Sequence, residues 1–333
     1  MLSKQSTTLS YFEPYGFEVT LEKLIEEIQE IYLADEIPWV VGYSGGKDST
    51  ATLQLIWIAL QKLPHDKLHK PVHVISTDTR VENPIVAIWV TASIATMSKE
   101  AKEQNLPITP HLLKPEATES FWVNLLGKGY PSPRRKFRWC TLRLKIMPSN
   151  DFIHDMVKNS GEAIVVLGTR KAESQARAKV MTKIETKRIR DKLSPNESLA
   201  NSLVYSPIEE WTNDDVWSFL LAVTNPWGVR NHELFKLYQG ATDGGECPFV
   251  TDINGPSCGG SRFGCWVCTM VDEDKSMGAM IRNDAEKDWM RPLLEFRNEL
   301  ANKNDRPLRD FRRMTGVVTV FNGRLIHGPY TRS

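Results

Sequence analysis

Apolar residues recur at helical spacing at Leu21, Leu24, Ile25, Ile28 and Ile31, with Glu and Lys between them. The pattern predicts an amphipathic helix capped by Thr20. The apolar run Pro38-Trp-Val-Val-Gly-Tyr43 predicts a buried strand. The glycine turn Ser44-Gly-Gly-Lys-Asp-Ser49 and a helix over 50–63 come next. The alternation then continues with a strand over 72–76 ending at Thr77-Asp78-Thr79, a helix over 84–104 with proline in its first turn, and a strand over 108–113. A helix over 119–126 and a strand over 163–167, ending in Gly168-Thr-Arg170, complete it. Strand–helix alternation predicts an α/β fold with a doubly wound, mostly parallel sheet. Ligands of such sheets bind beyond the carboxyl ends of the strands. The glycine turn, the Asp78 turn and the Gly168–Arg170 turn are therefore expected to meet at one site.

Further on, Thr212-Asn-Asp-Asp215 reads as a capping box with Asp in place of Glu, opening a helix through Val216 and Leu221. Residues 239–261 are rich in glycine and proline, and together with the stretch up to Cys268 they are expected to form an irregular lobe. Residues 284–302 read as helix, and 311–330 as a basic turn followed by a hairpin around Asn322-Gly323. The expected organisation is an N-terminal helical segment (1–36), a nucleotide domain (37–230), a cysteine-rich lobe (231–275) and a C-terminal helix and hairpin extension (276–333). The end at Thr331-Arg-Ser333 reads as that of a truncated chain.

The chain of 333 residues is 41% hydrophobic and 25% charged, which excludes a disordered, collagen-like or disulfide-framework protein. No uncharged apolar run approaches the ~20 residues of a membrane span, and residues 1–16 lack the apolar core of a signal peptide. A soluble cytoplasmic protein with no membrane partner is expected. Net charge is +1, so a polyanion site has to be a local patch. Two patches stand out. Arg134, Arg135, Lys136, Arg138, Arg143 and Lys145 surround Phe137 and Trp139, and Lys179, Lys183, Lys187, Arg188, Arg190 and Lys192 form a second run. Either can grip a nucleic-acid backbone or be a solvated face.

In Ser44-Gly45-Gly46-Lys47-Asp48-Ser49, the glycines allow successive amides to point at one spot. The following helix adds its positive end, and Lys47 a full charge. The turn reads as a phosphate cradle, but not as a Walker A loop, because Asp48 stands where Ser or Thr would follow the lysine. Cys247, Cys258, Cys265 and Cys268 are expected to be metal ligands, since a Cys-x-x-Cys turn brings two thiolates to one centre. Spacing alone allows a [4Fe–4S] cluster or tetrahedral zinc. Cys140, with cationic neighbours, is either an activated thiol or an ordinary buried one.

The glycine turn resembles the signature of the PP-loop ATP pyrophosphatases. Arg138-Trp-Cys140-Thr, Lys145 and Pro148 resemble a segment of the phosphoadenylyl-sulfate reductases, as do Gly168-Thr-Arg170-Lys-Ala-Glu173-Ser174-Gln-Ala-Arg177, Ser206-Pro-Ile208 and Asp215-Val-Trp217. The reductases' Glu-Cys-Gly-Leu-His nucleophile segment does not occur in the sequence. Thr77-Asp-Thr-Arg-Val-Glu-Asn-Pro84 and Ser257-Cys-Gly-Gly-Ser-Arg-Phe-Gly-Cys-Trp-Val-Cys268 are similar to the DndC-type proteins of bacterial DNA phosphorothioation.

The resemblance implies that ATP binds through Ser44, Gly45, Gly46, Lys47, Asp48, Ser49, Asp78 and Gly168, with Asp78 serving either the adenosine end or a Mg²⁺ ion. It implies Lys47, Asp48, Arg170 and Cys140 as the catalytic set, and Arg138, Lys145, Arg170 and Arg177 as contacts to substrate phosphate. A phosphate oxygen of double-stranded DNA would attack the α-phosphorus, and sulfur from a cysteine desulfurase would then displace AMP. Other subunits of a phosphorothioation complex are implied partners. The resemblance favours an iron–sulfur cluster over zinc, and it makes Cys140 a rival to Cys247 as fourth ligand. Other expectations are a sulfonucleotide reductase, a sulfate adenylyltransferase subunit, a tRNA thiolase, or a non-catalytic iron–sulfur DNA-binding subunit.

Overall fold

A computed structural model of the chain describes residues 9–190, 192–242, 263–302 and 304–331. The apolar runs become β1 (Trp39–Gly42), β2 (Val72–Thr77), β3 (Ile108–Leu113) and β4 (Ala163–Val166). Two strands without a clear sequence signal, β5 (Ser194–Pro195) and β6 (Ser202–Tyr205), extend the sheet to the order β3-β2-β1-β4-β6-β5. All neighbours are parallel except β5 on β6. β1 lies between β2 and β4, so the strand order reverses at β1/β4 and the loops after these two strands flank the switch-point crevice. The expected mostly parallel α/β sheet is therefore the one observed.

Both faces are covered, which explains the continuous apolar runs. Trp39, Val41, Val72, Val74 and Ile164 pack under α1 (Phe17–Leu33), α2 (Lys47–Gln61) and the C-terminal part of α3 (Pro84–Glu103). Val40, Ile75, Ala163 and Val165 pack on the other side against Ile153 of the helical stretch formed by α4 (Trp139–Thr141), a π-turn (Leu142–Ile146) and α5 (Met147–Ser160). The sequence reading missed this stretch. Pro148 obscures it; the chain is nonetheless helical on both sides of the proline, and the residues just before it form a π-turn in place of regular α-helix.

α6 (Gln175–Glu185) follows the Gly168 turn. α7 (Asn213–Ala222) opens with the expected capping box: Thr212 Oγ1 accepts from the Asp215 N–H at 3.1 Å, and Asp215 accepts from the Thr212 N–H at 2.8 Å. Asp215 also accepts from the Ser10 hydroxyl (2.5 Å) and the Tyr11 N–H (3.1 Å), tying the N-terminal segment to α7. α8 (Asn231–Gly240) belongs to the sheet's core through Leu234 and Tyr238, although its sequence reads as the start of the irregular lobe. α9 (Lys275–Asn283) and α10 (Arg291–Leu300) follow, the latter after a 3₁₀ turn over Ala285–Met290. The hairpin β7 (Val320–Phe321) and β8 (Arg324–Leu325) turns through Asn322 (φ 48°) and Gly323 (φ 71°), as the Asn-Gly pair predicts.

Two expected boundaries are corrected. Helix α1 begins at Phe17 after Gly16 (φ 79°), and Thr20 is buried inside it rather than capping it, because Phe17 extends the apolar face by a turn. The expected helix over 119–126 is observed two residues later, over 121–127, mostly as a π-turn (Val123–Gly127) and preceded by a 3₁₀ turn (Ala117–Glu119). Among the described residues, no helix is long and apolar enough to cross a membrane.

Candidate functional site

At the carboxyl end of β1, Gly45 adopts φ 73°, and a Cβ there would lie 2.4 Å from the Val90 side chain. Only glycine fits this turn. The loop is held from several sides. Ser49 Oγ accepts from the Ser44 N–H at 3.2 Å and lies 3.1 Å from Ser44 Oγ. Trp89 Nε1 on α3 donates to the Gly45 carbonyl at 3.1 Å, and the Tyr238 hydroxyl on α8 accepts from the Lys47 N–H at 3.2 Å. The first turn of α2 faces a cavity of about 570 Å³, within the usual size of small-ligand sites. Ser44, Gly46, Asp48, Ser49, Asp78, Gly168 and Arg177 all contribute to its wall. The three strand-end turns thus meet as the fold class predicts.

Gly168 packs directly on the loop: a Cβ there would stand 2.7 Å from the Asp48 carbonyl oxygen. Two residues later Arg170, 2% exposed, donates from Nε to Asp48 Oδ1 at 2.7 Å and from Nη1 to the Trp211 carbonyl at 3.1 Å. Lys47 Nζ donates to both Asp48 oxygens at 2.9 and 2.8 Å. Two buried cations thus share one carboxylate, leaving a net positive charge beneath the helix N-terminus, a setting suited to an anion. Arg170 stands behind Asp48 rather than on the cavity wall.

Asp78 lines the cavity and accepts from the Arg80 N–H at 2.8 Å, in a turn where Arg80 has φ 61°. It does not cap α3; Asn83 does, accepting from the Ile85 N–H at 3.0 Å. Arg177 is half-exposed and pairs with Glu173 at 3.4 Å. Glu173 accepts from the Arg170 N–H at 2.9 Å, and Ser174 caps α6.

A second cavity, of about 640 Å³, is lined by Arg138, Cys140, Lys145, Cys265 and Cys268. It meets the first at Lys145 and Phe263, which line both. Cys247 and Cys258 lie outside the described residues. Glu82, to which sequence reasoning assigned no role, organises the junction. It accepts from Lys145 Nζ at 2.9 Å, from the Thr79 hydroxyl at 3.1 Å and from the Cys265 thiol at 3.7 Å. No local signal marks it, because its partners come from residues 79, 145 and 265. Residues 81–83 pair with 264–266 through Asn83 N–H to Gly264 O (3.1 Å) and Trp266 N–H to Val81 O (3.0 Å).

Burial and the Glu82 carboxylate push the Cys265 thiol up to about 12. Burial, together with the nearby Cys268, raises that of Cys140. For Lys145, burial works against the charge, but Glu82, Cys265 and Cys140 outweigh it and raise the pKa. The three thiols in one cavity fit a metal centre in donor type. Thiolates on one zinc ion, at bonds of ~2.3 Å, sit about 3.8 Å apart. Among the described residues the three sulfurs are not all within 4.8 Å of one another.

The basic segments differ. In the first, Arg134 pairs with Asp305 (2.5 Å), Arg143 with Glu119 and Lys145 with Glu82, while Arg135, Lys136 and Arg138 are exposed. In the second, Lys187 pairs with Glu197 (2.5 Å), Arg188 with Glu209 (2.6 Å), Lys192 with Glu27 (3.0 Å) and Arg190 with Asp35. Four of the six thus tie this region to α1, the turn just after it, the β5–β6 connection and the segment after β6.

A family model described as the phosphoadenosine phosphosulfate reductase domain matches residues 38–271. An uncharacterized protein of Methanocaldococcus jannaschii is 26% identical over 264 residues, 79% of this chain and 42% of that protein. The chain thus spans about two fifths of the length of that relative. A phosphoadenylyl-sulfate reductase of Candida auris, in complex with phosphate, is similar at 15% identity and a TM-score of 0.39, covering 66% of this chain and 91% of the reductase. A U34-tRNA thiolase of Methanococcus maripaludis with its [4Fe-4S] cluster is similar at 13% identity and a TM-score of 0.38, covering 86% and 81%.

Proposed function

Because the chain belongs to the phosphoadenosine phosphosulfate reductase domain family, we propose that it is a PP-loop ATP pyrophosphatase that activates a DNA backbone phosphate for sulfur incorporation. One observation carries this reading: the nucleotide-sized cavity over the glycine loop meets, at Lys145 and Phe263, a cavity that holds three thiols. The β- and γ-phosphates of ATP rest on the glycine loop, on amides other than those of Ser44 and Lys47, which Ser49 Oγ and the Tyr238 hydroxyl already hold, with the Lys47–Asp48–Arg170 group beneath them supplying net positive charge. Asp78 is the candidate for a Mg²⁺ ion or the adenosine end. A non-bridging oxygen of the DNA phosphodiester attacks the α-phosphorus, and the bond to pyrophosphate breaks. The resulting mixed anhydride gives the phosphate a good leaving group, AMP, which the outer sulfur of a persulfide made by a cysteine desulfurase displaces; a thiol then attacks the inner sulfur, so that a disulfide leaves and the phosphorothioate remains. Lys145 and Arg138, on the thiol cavity, neutralise charge on the acceptor. The chain's part is positioning and electrostatics. Partner subunits of a phosphorothioation complex would bring the DNA and the sulfur donor.

Cys140, Cys265 and Cys268 are the described residues that would hold an iron–sulfur cluster, with Cys247 or Cys258 completing the set. When bound, such a cluster supplies a redox-active, sulfide-rich centre.

Anaerobic protein given ATP, Mg²⁺, duplex DNA and a sulfur donor should release pyrophosphate and leave phosphorothioate linkages detectable by mass spectrometry after nuclease digestion. Lys47→Ala should lower pyrophosphate release by at least about 10²-fold. Unchanged turnover in that variant, or DNA binding without any pyrophosphate, would overturn the reading. The family match favours sulfonucleotide reduction as a second reading; incubation with phosphoadenylyl sulfate and a dithiol reductant in place of ATP and DNA would then release sulfite.

A further inference from the structure

We propose that the C-terminal extension carries a binding groove for a nucleic-acid backbone, completed by Arg134 of the basic turn. The groove, of about 950 Å³, is lined by Arg134, Arg306, Arg309, Arg324 and His327, with Phe321 on its wall. The one acid lining it is Asp305, which is 3% exposed and already engaged. It pairs with Arg134 at 2.5 Å and Arg309 at 3.8 Å, and accepts from the Tyr330 hydroxyl at 3.0 Å. Four guanidinium groups against one buried, occupied carboxylate leave the groove with an excess of about three positive charges.

The groove is held in place. The Tyr330 N–H donates to the Gly129 carbonyl at 2.7 Å, and the Tyr330 hydroxyl accepts from the Ser132 N–H at 3.4 Å. These bonds fix the extension against the segment that leads into the basic turn. That turn is closed by reciprocal Arg134–Phe137 backbone bonds of 3.1 and 2.8 Å, with Arg135 and Lys136 exposed at its tip. Arg138 then lines the thiol cavity, and Lys145 lines the junction with the nucleotide cavity. Positive side chains thus continue from the groove through the tip of the basic turn to Arg138 at the thiol cavity, whose wall also carries Asp272, Glu273 and Asp274.

Arginine density identifies the ligand. Guanidinium forks match phosphate oxygens in pairs, and Phe321, 66% exposed, offers a face for a base. An acidic peptide would satisfy the charge but has no use for the ring. The assignment of a nucleic acid rests on the preceding reading, in which a DNA phosphate is the acceptor.

The test uses the full chain without ATP, a fluorescein-labelled duplex of 20 base pairs, and anisotropy at several salt concentrations. The double charge reversal Arg306→Glu with Arg324→Glu should weaken binding about tenfold or more and lower the magnitude of the salt slope by about two. Lys179→Glu with Lys183→Glu, an equal change of net charge on α6, should alter affinity less than about twofold. Equal losses in both double variants would overturn the proposal, as would wild-type affinity in the first, or displacement of the duplex by polyglutamate as readily as by unlabelled duplex. Pyrophosphate assays on the same proteins separate the two readings. Lost DNA affinity with no pyrophosphate from wild type leaves the groove standing and removes the pyrophosphatase. Normal DNA-dependent pyrophosphate release with unaltered binding in the first variant removes the groove alone.

Discussion

Replacing Gly168 by alanine would place a methyl group 2.7 Å from the Asp48 carbonyl oxygen, 2.8 Å from its carbon and 3.0 Å from the Ser49 nitrogen. All three atoms are backbone, so no rotamer change relieves the contact. β4 cannot retreat easily, because Val166 is in register with Val41 on one side and Tyr205 on the other. The start of α2 therefore has to move by about 0.7 Å to restore an ordinary contact of 3.4 Å. That movement stretches the 2.7 Å Arg170–Asp48 bond and shifts the amides that face the nucleotide cavity. Misplacement of reacting groups by ~1 Å can lower a rate by about 10²-fold, so a loss of roughly 30- to 100-fold in pyrophosphate formation is expected. Overpacking should also lower stability by about 1–3 kcal/mol. The assays are steady-state pyrophosphate release across a range of ATP concentrations and urea denaturation. Gly240→Ala serves as a comparison, since the nearest atom to its Cβ would be Lys287 Nζ at 3.9 Å. Wild-type turnover and stability in Gly168→Ala would refute the close approach of β4 to the loop, and with it the account of how the loop is aimed.

Two further outcomes follow from other parts of the molecule. His73 Nδ1 lies 3.0 Å from His111 Nε2 between β2 and β3; burial lowers both pKa values from 6.5, and for His73 the neighbouring His111 lowers it further. The unfolded chain therefore takes up these protons first, so stability should be level above about pH 6.5 and fall as pH drops toward the folded pKa values. His111→Gln should make that fall shallower in urea denaturation at pH 7.5 and 5.5; an unchanged slope would count against the pair. Cys268→Ser should remove iron and bleach absorbance near ~400 nm in anaerobically purified protein. A colourless wild-type protein containing zinc would refute iron–sulfur.

Legibility followed the range of the interactions. The strand–glycine loop–helix unit was readable because its determinants are adjacent in the chain: glycines at 45 and 46, a strand before and a helix after. The Thr212 capping box and the Asn322-Gly323 turn were readable for the same reason. The stretch over 139–160 was not, because Pro148 reads as a helix breaker, whereas the π-turn over Leu142–Ile146 lets the helix run through it. Arg170 stood out beside Glu173 and Ser174, yet its partner Asp48 is 122 residues away. Which basic residues are paired was not readable either: Glu27, Asp35, Glu197 and Glu209 engage four of the second run, and Asp305, Glu119 and Glu82 three of the first.

From the sequence alone came the α/β alternation, the mostly parallel sheet and the glycine turn that opens α2, because backbone conformation and burial periodicity are set within a few residues. The tertiary structure decided which charges remain free, that Glu82 joins Lys145 to Cys265, and that the arginines of the extension come together with Arg134. Those outcomes depend on pairing between side chains brought together only when the sheet is assembled, and ion pairs and close contacts act over a few ångströms in space, without regard to separation along the chain.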